Sequence, residues 1–97
     1  MKLEEILKSK KPVLIDFYSA DCSPCLVMEE VLVNVRNQFG NRCEIYTIDL
    51  LKHPKVFDLF KVQSVPHFKL FKNGKPRWSG SGLFNKDELI LQIEKYL

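Results

Sequence analysis

Cys22 and Cys25 stand with two residues between them in Asp21-Cys22-Ser23-Pro24-Cys25, close behind the nearly continuous apolar run from Val13 to Tyr18. Two thiols at that spacing can exchange with a disulfide. One attacks and forms a mixed disulfide, and the other displaces it to release the product. The change from an apolar run to a helix-periodic segment puts the pair where a strand ends and a helix begins. A first helical turn carries unpartnered N–H groups and the positive end of the macrodipole, both of which favour a thiolate. Cys22 is therefore the candidate nucleophile and Cys25 its resolving partner. The same spacing occurs in metal sites, so a metal or iron–sulfur binding module using Cys22 and Cys25, with or without His67 as a third ligand and completed by a second subunit, is the rival reading. A second C-x-x-C or a histidine pair with ligand spacing is missing from the sequence. A noncatalytic interaction domain is the third possibility.

Asp16 interrupts the apolar run six residues before Cys22. Burial of a carboxylate without a partner raises its pKa and makes it able to accept a proton. His67 and His53 are the two histidines; the first is read as a half-exposed strand residue that could assist proton transfer if it lay near the thiols, the second as a solvated loop residue. Cys43 is expected to act as a small apolar residue, Trp78 to pack against the sheet or a helix, and Glu29 with Glu30 to lie on a solvated face.

The elements that would position these residues follow from periodicity. Leu3, Ile6 and Leu7 share a helical face before Pro12, which predicts a short helix over residues 3 to 9. Residues 13 to 18 read as a strand covered on both faces. From Pro24, Met28, Leu32, Val35 and Phe39 recur at helical spacing, Val27 and Val31 widen the stripe, and Gly40-Asn41 ends it. Residues 43 to 49 form a second buried strand, and a helix starting at Pro54 runs to Lys61 with Val56, Phe57 and Phe60 on its buried side. Asn73-Gly74 between β-prone runs signals a hairpin of strands near 67 to 71 and 76 to 79. Asn85 with Glu88 resembles a capping box for a last helix, on which Leu89, Ile90, Ile93 and Leu97 share a face. This order predicts an α/β fold with a mixed sheet of four strands and helices on both sides.

With 97 residues the chain is read as one domain, residues 1 to 97, able to bury about two thirds of its unfolded surface. A hydrophobic content of 45% excludes a disordered chain, and the uncharged apolar stretches are too short to span a bilayer. The N-terminal Met-Lys-Leu-Glu-Glu lacks the form of an export signal, so a cytoplasmic location is expected. A net charge of +3 spread over dispersed lysines gives little support to nucleic-acid binding. In a reducing compartment three cysteines do not make a disulfide framework, which leaves Cys22 and Cys25 for redox or metal chemistry.

Taken together, Ile15-Asp16-Phe17 before Cys22-Ser23-Pro24-Cys25, then Val65-Pro66-His67, Phe71-Lys72-Asn73-Gly74 and Gly82 resemble, in order and spacing, the thioredoxin family. The resemblance runs from about Leu3 to the C-terminus and implies a thioredoxin-like three-layer fold with the family's first strand absent. It implies that Pro66 is a cis proline facing the thiols, that the backbone of Val65 pairs with an extended substrate segment, and that Gly82 lies beside them. It gives Asp16 the role of accepting the proton of Cys25. The implied activity is reduction or exchange of disulfides in partner proteins by a monomer. A thioredoxin reductase or another dithiol donor regenerates it, and no bound cofactor, metal, nucleic acid or membrane takes part. The chain departs from the family with Asp21 in place of Trp, Ser23 of Gly, Leu26 of Lys, His67 of Thr, and Ile45 of the Lys near the buried Asp. Glu30 stands where a proline kinks the helix, so a straighter helix is expected.

Overall fold

A strand that is apolar on both sides must be covered on both sides, and Val13–Tyr18 (β1) lies in the middle of the sheet. The computed structural model describes residues 2–97. Its elements are helix α1 (Leu3–Leu7), β1, helix α2 (Ser23–Phe39) with a 3-10 turn over Gly40–Arg42, strand β2 (Glu44–Asp49), helix α3 (Pro54–Leu59), strands β3 (His67–Lys72) and β4 (Lys75–Ser81), and helix α4 (Lys86–Glu94). The strand order is β2-β1-β3-β4. β1 runs parallel to β2 and antiparallel to β3, and β3 is antiparallel to β4. The expected four-stranded mixed sheet between helical layers is what the chain forms.

Alternation along β1 divides the core in two. Leu14 joins Met28, Leu32, Val35, Phe39, Phe68, Leu70, Leu89 and Ile93 beneath α2 and α4. Val13, Ile15 and Phe17 point the other way, to Leu7, Ile48, Phe57 and Phe71 under α1 and α3. By the same alternation Asp16 shares the face of Leu14.

Several boundaries differ from expectation. α1 stops at Leu7 and not residue 9, and α3 stops at Leu59. Val27 is 54% exposed although it lies beside the buried stripe of α2, and Leu97, beyond the end of α4, is 49% exposed. Periodicity locates a helical face but not the width that neighbouring elements cover. α2 is one continuous helix of 17 residues through Glu30. Asn85 caps α4 by accepting a hydrogen bond from the N–H of Glu88 at 2.9 Å.

The hairpin turn uses left-handed backbone at Asn73 (φ 56°) and Gly74 (φ 78°), which Asn-Gly accommodates readily. The N–H groups of these two residues donate to the carbonyls of Ser9 (2.9 Å) and Leu7 (2.8 Å), so the hairpin tip satisfies the end of α1. In the ladder Leu70 pairs with Trp78 and Phe71 with Pro76, which leaves Arg77 as an extra residue on the edge strand.

Gly80 is required for a different reason. A Cβ there would lie 2.6 Å from Cζ of Phe84 and 2.9 Å from Cζ2 of Trp78, whose rings meet edge to face at 5.4 Å. Phe84 also packs edge to face on Phe68 at 5.7 Å. Gly80→Ala is expected to destabilise the fold by about 1–3 kcal/mol through overpacking, read from the midpoint of urea unfolding. An unchanged midpoint would show that the two rings move aside at no cost.

Candidate active site

The end of β1 and the start of α2 place the two thiols. Cys22 is the N-cap residue of α2, in extended backbone, with Ser23 and Pro24 as the first helical residues. Its Sγ accepts the N–H of Cys25 at 3.1 Å. Cys22 and Cys25 are joined as a disulfide with their Cα atoms 5.2 Å apart. The pair is unequal in access. Cys25 is buried, 3% exposed, whereas Cys22 is only half-buried. The first turn of α2 carries no acidic side chain. Sulfur at an N-cap is held against free N–H groups and the positive helix end, so negative charge on Cys22 is favoured when the bond opens. Asp21, the carboxylate next to it, is held in its own loop by a 2.7 Å hydrogen bond that the Ser19 hydroxyl donates.

Asp16 is 2% exposed, and its Oδ1 is a buried oxygen without a hydrogen-bond partner. Burial pushes its pKa from the ordinary 3.8 up to about 7; the charge of Arg36 works against that rise and the charge of Glu29 adds to it. A carboxyl with this pKa exchanges a proton with a thiol near neutral pH. Sequence reasoning left Arg36 out and treated Glu29 as solvated surface. Both are exposed, yet their charges reach Asp16. Their signal was available: Cys25, Glu29 and Arg36 follow at four and then seven residues, which keeps them along one side of the helix.

At the other side of β1 the Val65–Pro66 peptide bond is cis, and Pro66 is buried. The carbonyl of Pro66 accepts the N–H of Gly82 at 2.9 Å, so these two residues are brought together. Val65 is partly buried against the core under α3. His67 lies on the face of Phe17, with the rings 6.3 Å apart, which is the side of the sheet away from Asp16. Its Nδ1 is hydrogen-bonded to the Ser81 hydroxyl, and burial, followed by the charge of Lys69, lowers its pKa. Among the described residues no group of three His, Cys, Asp or Glu side chains is placed to hold a metal ion. Cys43 is buried beside the Leu14 core, its pKa is pushed up to about 12 mainly by burial, and it packs as an apolar residue. Trp78 packs on the same core. No helix of the described residues is long and apolar enough to cross a membrane.

Residues 3–95 match the family model for thioredoxin. The chain is 38% identical over 95 residues to thioredoxin Y of rice, a chloroplastic protein, covering 97% of this chain and 56% of the relative. It is 33% identical to a thioredoxin-like protein of Synechocystis, covering 97% and 90% of the two chains. It is 31% identical to a thioredoxin of Rickettsia bellii, covering 90% and 83%. The chain thus spans about half the length of the chloroplastic relatives and most of the bacterial ones. In fold it is similar to a solved structure of a malarial protein, with a TM-score of 0.84 and 23% identity, covering 90% of this chain and 98% of the other.

Proposed function

The chain belongs to the thioredoxin family, and from that premise we propose that it reduces or exchanges disulfides in partner proteins through a Cys22/Cys25 dithiol–disulfide cycle. The observation that carries this reading is the half-buried Cys22 sulfur at a helix N-cap, bonded to a buried Cys25. In the reduced protein the Cys22 thiolate attacks one sulfur of a client disulfide. A bond forms between Cys22 and that sulfur, and the other client sulfur leaves as a thiolate. Cys25 then gives its proton to Asp16 and attacks the Cys22 sulfur. The Cys22–Cys25 bond forms, the second client thiolate leaves, and two electrons have passed to the client. A thioredoxin reductase or another dithiol donor restores the pair.

Clients are held by main-chain hydrogen bonds to Val65 beside Pro66 and Gly82, a mode that accepts many sequences. The surrounding surface adds exposed Leu26 and Leu83 to the apolar contact that Asp21 takes away. The cytosol is retained as the place of action, because a reducing dithiol works where thiols are kept reduced. Cys25→Ser is expected to trap client proteins on Cys22 as mixed disulfides that survive denaturing gels without reductant and vanish with it. Absence of any trapped species from a chain with a reactive Cys22 would favour a noncatalytic interaction domain.

A further inference from the structure

The segment that follows α3 reaches β3 through Gln63, Ser64 and Val65, and two of these three side chains are exposed. Val65 packs on the core under α3. A short series of hydrogen bonds also joins the segment to the end of β4. The Ser64 hydroxyl donates to the Ser81 hydroxyl oxygen at 3.5 Å. Ser81 is in turn bonded to Nδ1 of His67, its direct partner in the β3–β4 ladder. The carbonyl of Pro66, between Ser64 and His67, accepts the N–H of Gly82, the residue after Ser81. Val65 therefore sits in a segment tied down on both sides by one edge of β4.

We propose that His67 and Ser81 are positioning residues that hold the Val65 backbone in the shape a client strand requires, through the relay Ser64 to Ser81 to His67. The proposal rests on the reading of the chain as a disulfide oxidoreductase and adds to it a determinant of client affinity. Ser81 accepts from Ser64 and is bonded to Nδ1 of His67, which links the three side chains in one series. His67 faces away from Asp16, so its part is mechanical. A main-chain recognition site gains affinity from being shaped before the client arrives, since otherwise binding must order it. Loss of the relay is felt by a client that lies along Val65. It is not felt by a small disulfide that meets only the Cys22 sulfur.

The test compares insulin, as a protein disulfide reduced in turnover with dithiothreitol as regenerant, with 5,5′-dithiobis(2-nitrobenzoate), as a small one, mixed in a single turnover with pre-reduced protein freed of dithiothreitol. Ser81→Ala and His67→Ala are each expected to raise KM for insulin about three- to tenfold with kcat little changed, and to react with the small disulfide as the wild type does. Ser81→Thr keeps the hydroxyl and is expected to restore the wild-type KM. Because both residues act in one relay, the double variant should be no worse than Ser81→Ala alone. An unchanged insulin KM in Ser81→Ala, or an equal loss on both disulfides, overturns the proposal while leaving the oxidoreductase reading intact. A wild-type protein that reduces neither disulfide overturns both.

Discussion

Cys22→Ser is expected to reduce turnover of protein disulfides to the uncatalysed background, a loss of several orders of magnitude. A serine hydroxyl is not ionised near neutral pH and does not form the mixed disulfide. The substitution is informative because the fold should tolerate it. Cys22 is the N-cap of α2 and accepts the N–H of Cys25, and serine is among the best N-cap residues. An unfolding midpoint near that of the reduced wild type, together with lost insulin reduction, assigns the whole effect to chemistry. Cys43 cannot substitute, since it is buried and its thiol stays protonated at any physiological pH. Substantial residual turnover would therefore make Cys25 the attacking group and overturn the order of steps given above.

Asp16→Asn is expected to make the protein more stable and a poorer catalyst. Folded Asp16 ionises near 7 and unfolded Asp16 near 3.8. Between these values the unfolded chain holds fewer protons than the folded one, so stability is greatest below 3.8, falls as pH rises, and reaches its lowest level above 7. The difference corresponds to at most about 4 kcal/mol. Asparagine removes the ionisation. Its advantage over wild type should be about 2–4 kcal/mol at pH 8.5 and below about 1 kcal/mol at pH 4, measured by denaturant unfolding at both values. In the reaction, release of the client from Cys22 should slow by about 10²-fold while the first attack changes little. Equal slowing of both steps would remove Asp16 from the role of proton acceptor, and a stability gain independent of pH would contradict the raised pKa.

Features of this molecule were legible in the sequence where a few neighbouring residues decide them. Asn73-Gly74 specifies its turn by backbone preference alone, Asn85 announces its helix, and the unbroken apolar character of β1 requires cover on both faces. The thiol pair and Asp16 were visible as residues whose types conflict with their surroundings. The cis bond before Pro66 was different: nothing in its neighbours distinguishes it from an ordinary proline, and only the family resemblance led to it. Other features depend on residues far apart in the chain. The requirement at Gly80 arises from the crossing of Trp78 and Phe84, and the bond between His67 and Ser81 needs β4 to extend past residue 79. Val27 is exposed because, among the described residues, no element covers that side of α2, which periodicity does not report.

The hydrogen bonds from the hairpin tip to the end of α1 make two distant parts of the chain members of one cooperative unit. A helix of five residues has too few internal bonds to persist alone. The carbonyl of its last residue, Leu7, is met by Gly74 and that of Ser9 just beyond it by Asn73, more than sixty positions onward in the chain. The first helix is thus a late arrival in folding, able to settle only after β3 and β4 have paired. Conversely, the amides of a turn tip, ordinarily open to water, are shielded by the opposite end of the polypeptide, and their exchange reports the loosening of a segment that is remote from them in sequence.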